Sequence, residues 1–187
     1  MLIFHFTDHS MAIRLIDFGN TMHLSEVHHT FDTYEVTSLP YRAPEVLLGL
    51  PYNQSIDMWA LGVVLLECWT GQRWITADNN VEAIHQLRHW QKGLDKTVFG
   101  HGKYWQSSFE HDDASSTNDL MPAFDNMDST FRSFLLGLLM FDPTKRLTAS
   151  QAVTHPFFRA LFPFEDLVHT TQRNYLQAFV RQYNDQV

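Results

Sequence analysis

A mainly α-helical domain, α+β overall only through a short N-terminal hairpin, is the fold class that the sequence predicts. Three observations predict it. The run "SIDMWALGVVLLECWTG" has the length and residue types of a helix and is apolar nearly all round, which places it at the centre of a domain. Two more segments, "NNVEAIHQLRHW" and "STFRSFLLGLLMF", carry helical spacing with start and stop signals. Strand-like character is confined to "MLIFHF" and "AIRLI", joined by the polar "TDHSM" in what reads as a hairpin ending at Asp17.

Taken in order, the stretch from Gly19 to Pro40 has no helical period and reads as a long loop, the kind that is usually functional in a compact domain. "LPYNQ" is a turn, and the central helix that follows opens at Asn53 or Ser55 and stops at Gly71. The segment from Gly93 to Pro122, with "EHDDASSTND", lacks a clear period and is expected to be a surface insertion. The next helix opens at Asp128 or Ser129 and ends before Pro143. "TASQAVTH" carries a capping box, Thr148 with Gln151, and is stopped by Pro156. Residues 1–160 form one unit on this reading, and 161–187 a helical extension with Leu167, Tyr175, Phe179 and Tyr183 as docking positions.

Composition narrows the function classes. At 187 residues and 44% hydrophobic, with 15 Phe and 5 Trp, the chain can bury one sizeable core. Its 13 basic against 21 acidic residues give a net charge of −8, which argues against binding nucleic acid or an anionic membrane. "MLIFHFT" has no basic flank and is too short for a signal peptide or a span, and Glu67 breaks the next apolar run. The single Cys68 excludes a disulfide framework within the chain and reads as a reduced core thiol, so a soluble cytoplasmic or nuclear protein is expected. Eleven histidines, His28 and His29 among them, come without a C-x-x-C or H-x-x-x-H pair and read as surface or packing residues.

Asp17-Phe18-Gly19 places a carboxylate at a strand end, where it can meet a hard cation, and its glycine lets the next peptide turn. Alone this is a common turn. Order changes its meaning, because it is followed by a loop, Ala43-Pro44-Glu45, a helix with Asp57-Met58-Trp59 and Leu61-Gly62, and Asp142-Pro143-Thr144-Lys145-Arg146. With these motifs, residues 11 to about 160 resemble the C-terminal lobe of a eukaryotic protein kinase. "TYEVTSLPYRAPEVLLG", with Arg42 directly before Ala43-Pro44-Glu45, resembles the CMGC group of cyclin-dependent, mitogen-activated and dual-specificity-tyrosine-regulated kinases.

The resemblance implies ATP and magnesium as cofactors, with Asp17 as metal ligand and Asp17 to Glu45 as the activation segment. It implies Ser or Thr as the acceptor, because Ser38 falls beside the position of the catalytic base, and it makes Ser38, Leu39, Tyr41 and Arg42 substrate-binding. Thr33 matches the activating phosphothreonine of the cyclin-dependent branch, with Tyr34 as a rival phosphosite. Glu45 and Arg146 are implied to be a buried ion pair, and Asp57 to hold the catalytic loop, all three in structural roles. Thr37 and Pro40 depart from the group's usual residues, which weakens any expectation of a proline after the target residue.

The Gly-rich phosphate loop, the strand lysine and the H-R-D-x-x-x-x-N segment are not in the sequence, so the N-terminal lobe and the catalytic loop are absent from this chain. "MLIF" resembles the residues that follow that Asn in the family. The chain alone is therefore expected to be inactive, a C-terminal kinase part whose partners are protein substrates or other kinases. The alternative is a non-catalytic kinase-like interaction module. A helical protein with coincidental motifs is the weakest reading. With the upstream segments missing, Trp59, Val63, Leu66 or their neighbours are expected to form an exposed apolar patch that favours self-association.

Overall fold

The computed structural model describes residues 2–7, 10–23, 25–27, 36–88, 94–109 and 124–159. Strands β1 (Leu2–Thr7) and β2 (Ser10–Leu15) pair antiparallel, Leu2 opposite Leu15 and Thr7 opposite Ser10. The ladder runs further into "TDHSM" than the strand-like residues indicate, because Thr7 and Ser10 still pair. After two 3-10 turns, Phe18–Asn20 and Leu39–Tyr41, the described chain is helical: α1 (Pro44–Leu47), α2 (Ser55–Thr70), α3 (Asn80–Arg88), α4 (Lys96–Phe99), α5 (Trp105–Phe109), α6 (Ser129–Leu138), α7 (Ala149–Val153) and α8 (Pro156–Arg159).

Local signals explain where the longer helices start and stop. The cap residue of α2 is Gln54, between the expected Asn53 and Ser55 and without a side-chain cap bond, while the Asn53 side chain accepts from the Ser55 N–H at 2.8 Å; α2 ends at Gly71, whose left-handed backbone (φ 69°) lets its N–H reach the Glu67 carbonyl at 2.8 Å. Asp128 caps α6 by accepting from the Thr130 and Phe131 N–H groups, and Thr148 and Gln151 form a reciprocal capping box on α7. Each such cap contributes about 1 kcal/mol.

Helix α2 is the centre of the core, but through one face only. Ile56, Trp59, Gly62, Val63 and Leu66 are buried, whereas Leu61 and Trp69 stay 37% and 47% exposed. This corrects the expectation of a helix wrapped on every side; of the expected patch, Trp59, Val63 and Leu66 are buried, and the exposed apolar residues are their neighbours Leu61 and Trp69. All-round apolarity does not say which face turns inward; here α6 and Phe141 take the Trp59 side, with the Phe141 ring 5.4 Å from that of Trp59. Cys68 is exposed and not a core thiol, because it stands on the outer face near the C-terminal end of α2. The expected insertion is also corrected over 94–109. Leu94, Phe99 and Ser108 are buried there, on single helical turns too short to show a period. Residues 110–123, Thr33, Tyr34 and the tail with Leu167, Tyr175, Phe179 and Tyr183 lie outside the described residues.

Gly62 sets how closely α2 and α6 approach. A Cβ there would stand 2.8 Å from Leu139 Cδ2 and 3.0 Å from Leu138 Cβ, closer than packed carbons sit. A second cluster continues from α6 to α8, where the Phe134 and Phe157 rings stack at 5.4 Å above Ala152. Gly62→Val is therefore expected to lower stability by about 1–3 kcal/mol in urea unfolding, by overpacking this contact. A variant as stable as the parent would show that the helices are not held this close.

Candidate functional site

Arg146 is 2% exposed and Glu45 1%, so both charges depend on each other for solvation. The pair is bidentate: Arg146 Nη1 donates to Glu45 Oε1 at 2.7 Å and Nη2 to Oε2 at 2.9 Å. The remaining guanidinium hydrogens go to backbone carbonyls, Nε to Met140 at 2.9 Å, Nη1 to Ser55 at 3.0 Å and Nη2 to Phe141 at 2.9 Å. All five donors of the guanidinium thus have acceptors. The group also lies over the Trp59 ring, 5.2 Å from its centroid. One side chain from the D-P-x-x-R motif ties α1, the start of α2 and the turn that follows α6 together.

Immediately before α1, the chain is held by two further anchors. The Arg42 side chain, 8% exposed, donates through Nε to the Thr37 carbonyl at 2.8 Å and through Nη1 to Asn80 Oδ1 at 2.9 Å. The Tyr41 hydroxyl donates to Glu67 Oε2 at 3.0 Å, and the Trp74 N–H donates to Glu67 Oε1 at 3.1 Å. Burial, and then the hydrogen bond and charge of Glu67, hold the Tyr41 phenol above its ordinary pKa. Ser38 is exposed at the head of the 3-10 turn that contains Leu39, with no side-chain cap bond. Ala43 and Pro44 are buried at the start of α1, where proline suits a first helical position. The Thr37 hydroxyl is buried without a hydrogen-bond partner among the described residues.

Asp17 stands apart from this cluster, at the end of the hairpin and exposed. Its backbone is left-handed (φ 68°, ψ 63°), alone in this respect among the described non-glycine residues. That conformation costs about 1–2 kcal/mol for most side chains and is tolerated best by Asp and Asn. Phe18 is 65% exposed, and Gly19 follows within the same 3-10 turn. A magnesium site needs several oxygen ligands. The described residues hold no group of three or more His, Cys, Asp or Glu side chains able to bind a metal, so Asp17 with its described neighbours does not make one.

The sequence singled out the residues of the motifs; the geometry adds Glu67, Trp74 and Asn80. Glu67 had one visible signal, a carboxylate inside an apolar helix. Asn80 had none, since its partner Arg42 is remote in sequence, and the Trp74 amide, seven residues from Glu67, belongs to no motif.

The segment from the hairpin to α8, with its buried Glu–Arg pair under a mostly helical core, defines the helical lobe of a protein kinase. The protein kinase domain family matches residues 3–158, and the chain belongs to that family. Serine/threonine-protein kinase AFC3 of Arabidopsis thaliana is 32% identical over 173 residues, an alignment covering 81% of this chain and 42% of AFC3. AFC2 of the same plant is 29% identical over 169 residues, covering 80% and 39%. Dual specificity tyrosine-phosphorylation-regulated kinase 2 of Drosophila melanogaster is 29% identical over 163 residues, covering 80% and 22%. The chain is CMGC-like within the family and spans about two fifths or less of the length of these relatives. Kinases of this family use ATP and magnesium and act on protein substrates.

Asp57, in the first turn of α2, gives a test that depends on pH. Its carboxyl has no hydrogen-bond partner among the described residues, and partial desolvation raises its pKa from the model-peptide 3.8. The folded state then holds the proton more tightly than the unfolded chain, so stability falls as pH rises through the raised value. Asp57→Asn is expected to raise the thermal midpoint at pH 7 and leave it unchanged near pH 3. A lower midpoint at pH 7 would mean that the carboxylate is held by a stabilising partner.

Proposed function

We propose that this chain is the substrate-receiving, activation-segment half of a serine/threonine protein kinase, and that it does not transfer phosphoryl groups by itself. The observation that carries the reading is the Glu45–Arg146 pair together with the Tyr41 and Arg42 anchors, which fix the segment Ser38–Glu45 on the helical core. On this reading Ser38, Leu39, Tyr41 and Arg42 form the wall that meets the protein substrate, and the exposed Ser38 hydroxyl favours Ser or Thr as acceptor. On this reading Thr33, with Tyr34 as its rival, is the phosphorylation site, where a phosphate would add close to two negative charges.

On this reading Asp17 is the residue that would meet a nucleotide-bound cation. ATP and magnesium supply the phosphoryl group and its charge neutralisation when bound. The described residues complete no cation site, and the Gly-rich loop, lysine and H-R-D segment are not among residues 1–187, so on this reading phosphoryl transfer needs those elements in addition to this segment. On this reading Asp57, exposed at the head of α2 and without a hydrogen-bond partner among the described residues, is the residue that holds such a segment.

A second reading, a kinase-like interaction module, is favoured by exposed apolar groups, Leu15 at 67%, Phe18 at 65% and Leu61 at 37%. Its partners would be other kinases or a second copy of this chain. No helix among the described residues is long and apolar enough to cross a membrane. The net charge of −8 speaks against nucleic acid, and a lone cysteine that cannot form a disulfide within the chain suits a cytoplasmic or nuclear setting.

Calorimetric titration of the chain with Mg·ATP tests the main reading. No heat of binding is expected up to millimolar nucleotide, and no phosphate transfer to a generic Ser/Thr substrate. Micromolar affinity, or turnover by this chain alone, would overturn it.

A further inference from the structure

Charged side chains border the wall proposed at Ser38–Arg42, and they are not equally available to a ligand. Glu67 is partly buried and both of its oxygens are engaged, Oε2 by the Tyr41 hydroxyl at 3.0 Å and Oε1 by the Trp74 N–H at 3.1 Å. Arg42 is 8% exposed and directs Nε to the Thr37 carbonyl and Nη1 to Asn80. Arg73 differs from both, because it is exposed in the turn that follows Gly71.

The backbone fixes where Arg73 stands. It immediately precedes Trp74, whose N–H is bonded to the carboxylate that also holds Tyr41, so the Arg73 Cα lies within about 6 Å of Glu67 Oε1. The charge reaches Tyr41 as well. Burial, and then the hydrogen bond and charge of Glu67, raise the pKa of the Tyr41 phenol, and the Arg73 charge is near enough to pull it back. A basic side chain arriving at the wall would have to share Glu67 oxygens that already accept from two donors, whereas an acidic one finds guanidinium hydrogens at an exposed position.

We infer that Arg73 is a specificity-determining residue of this wall and favours an acidic side chain next to the acceptor Ser or Thr of the protein substrate. The inference rests on the reading of Ser38–Arg42 as the substrate-facing wall, and it adds the class of substrate. A guanidinium fork meets a carboxylate in two parallel hydrogen bonds, a geometry that discriminates as well as attracts. The net charge of −8 opposes an acidic peptide over the chain as a whole, so the preference is local and modest. An exposed ion pair of this kind changes affinity about threefold to fivefold.

The test is a titration of the full ¹⁵N-labelled chain, followed at the Tyr41 and Trp74 amides and the Trp74 indole. Its probes are serine peptides identical except for the residues flanking the serine, which are glutamates, alanines or arginines. Saturable shifts are expected with the glutamate peptide, about threefold to fivefold weaker binding with the alanine peptide, and weaker binding still with the arginine peptide, the differences shrinking with added salt. Arg73→Glu, a change at an exposed position that should leave the thermal midpoint in place, is expected to reverse this order, whereas Arg73→Lys keeps it. If no peptide gives saturable shifts at these groups, the substrate-wall reading falls and this inference with it. Equal affinity for the peptides, tightest binding of the arginine peptide by the parent chain, or an unchanged order in Arg73→Glu would each overturn the inference while leaving the wall itself standing.

Discussion

The buried pair between Glu45 and Arg146 is the constraint on which the rest of the structure hangs. Two charges that are 1% and 2% exposed persist in an apolar core only because every guanidinium hydrogen and both carboxylate oxygens are engaged. The acceptors come from α1, the start of α2 and the turn after α6, the first two about 100 and 90 residues from Arg146 in sequence. Trp59 completes the setting by placing its ring under the guanidinium and its edge against Phe141. A pair of this kind contributes less to net stability than to uniqueness, since any other arrangement of these helices would strand a charge.

From that fixed point the functional segment is built outward. Glu45 anchors α1, and the residues just before it are held by Arg42 on Asn80 and by Tyr41 on Glu67. The residues just after it reach the Tyr104 amide through Leu48.

Much of the fold was legible where the controlling interaction is local. The hairpin, the stop of α2 at Gly71, the Asp128 cap and the Thr148–Gln151 box each follow from neighbouring residues. What was illegible depends on distant partners. A helix apolar on every face gives no sign that Trp59 turns inward while Leu61, Cys68 and Trp69 turn out. The turns at Lys96–Phe99 and Trp105–Phe109 are too short to show a period, so a packed segment looked like an insertion. At the site, the ordered motifs pointed to Asp17, Glu45, Asp57 and Arg146. The clamp on Glu67 did not show, because Tyr41 lies 26 residues away from it in sequence. Thr33 and Tyr34 fall outside the described residues, so their part rests on the sequence alone.

A double-mutant cycle in urea, with Glu45→Gln, Arg146→Met and both together, tests the central claim most directly. Each single change should cost about 3–5 kcal/mol, because it leaves its partner charged or unpaired in the core. The double variant should cost well below the sum, with a coupling near the upper end of the usual 0.5–3 kcal/mol range for residues in contact. Costs that add to within about 0.5 kcal/mol would contradict the account, since the two side chains would then contribute independently.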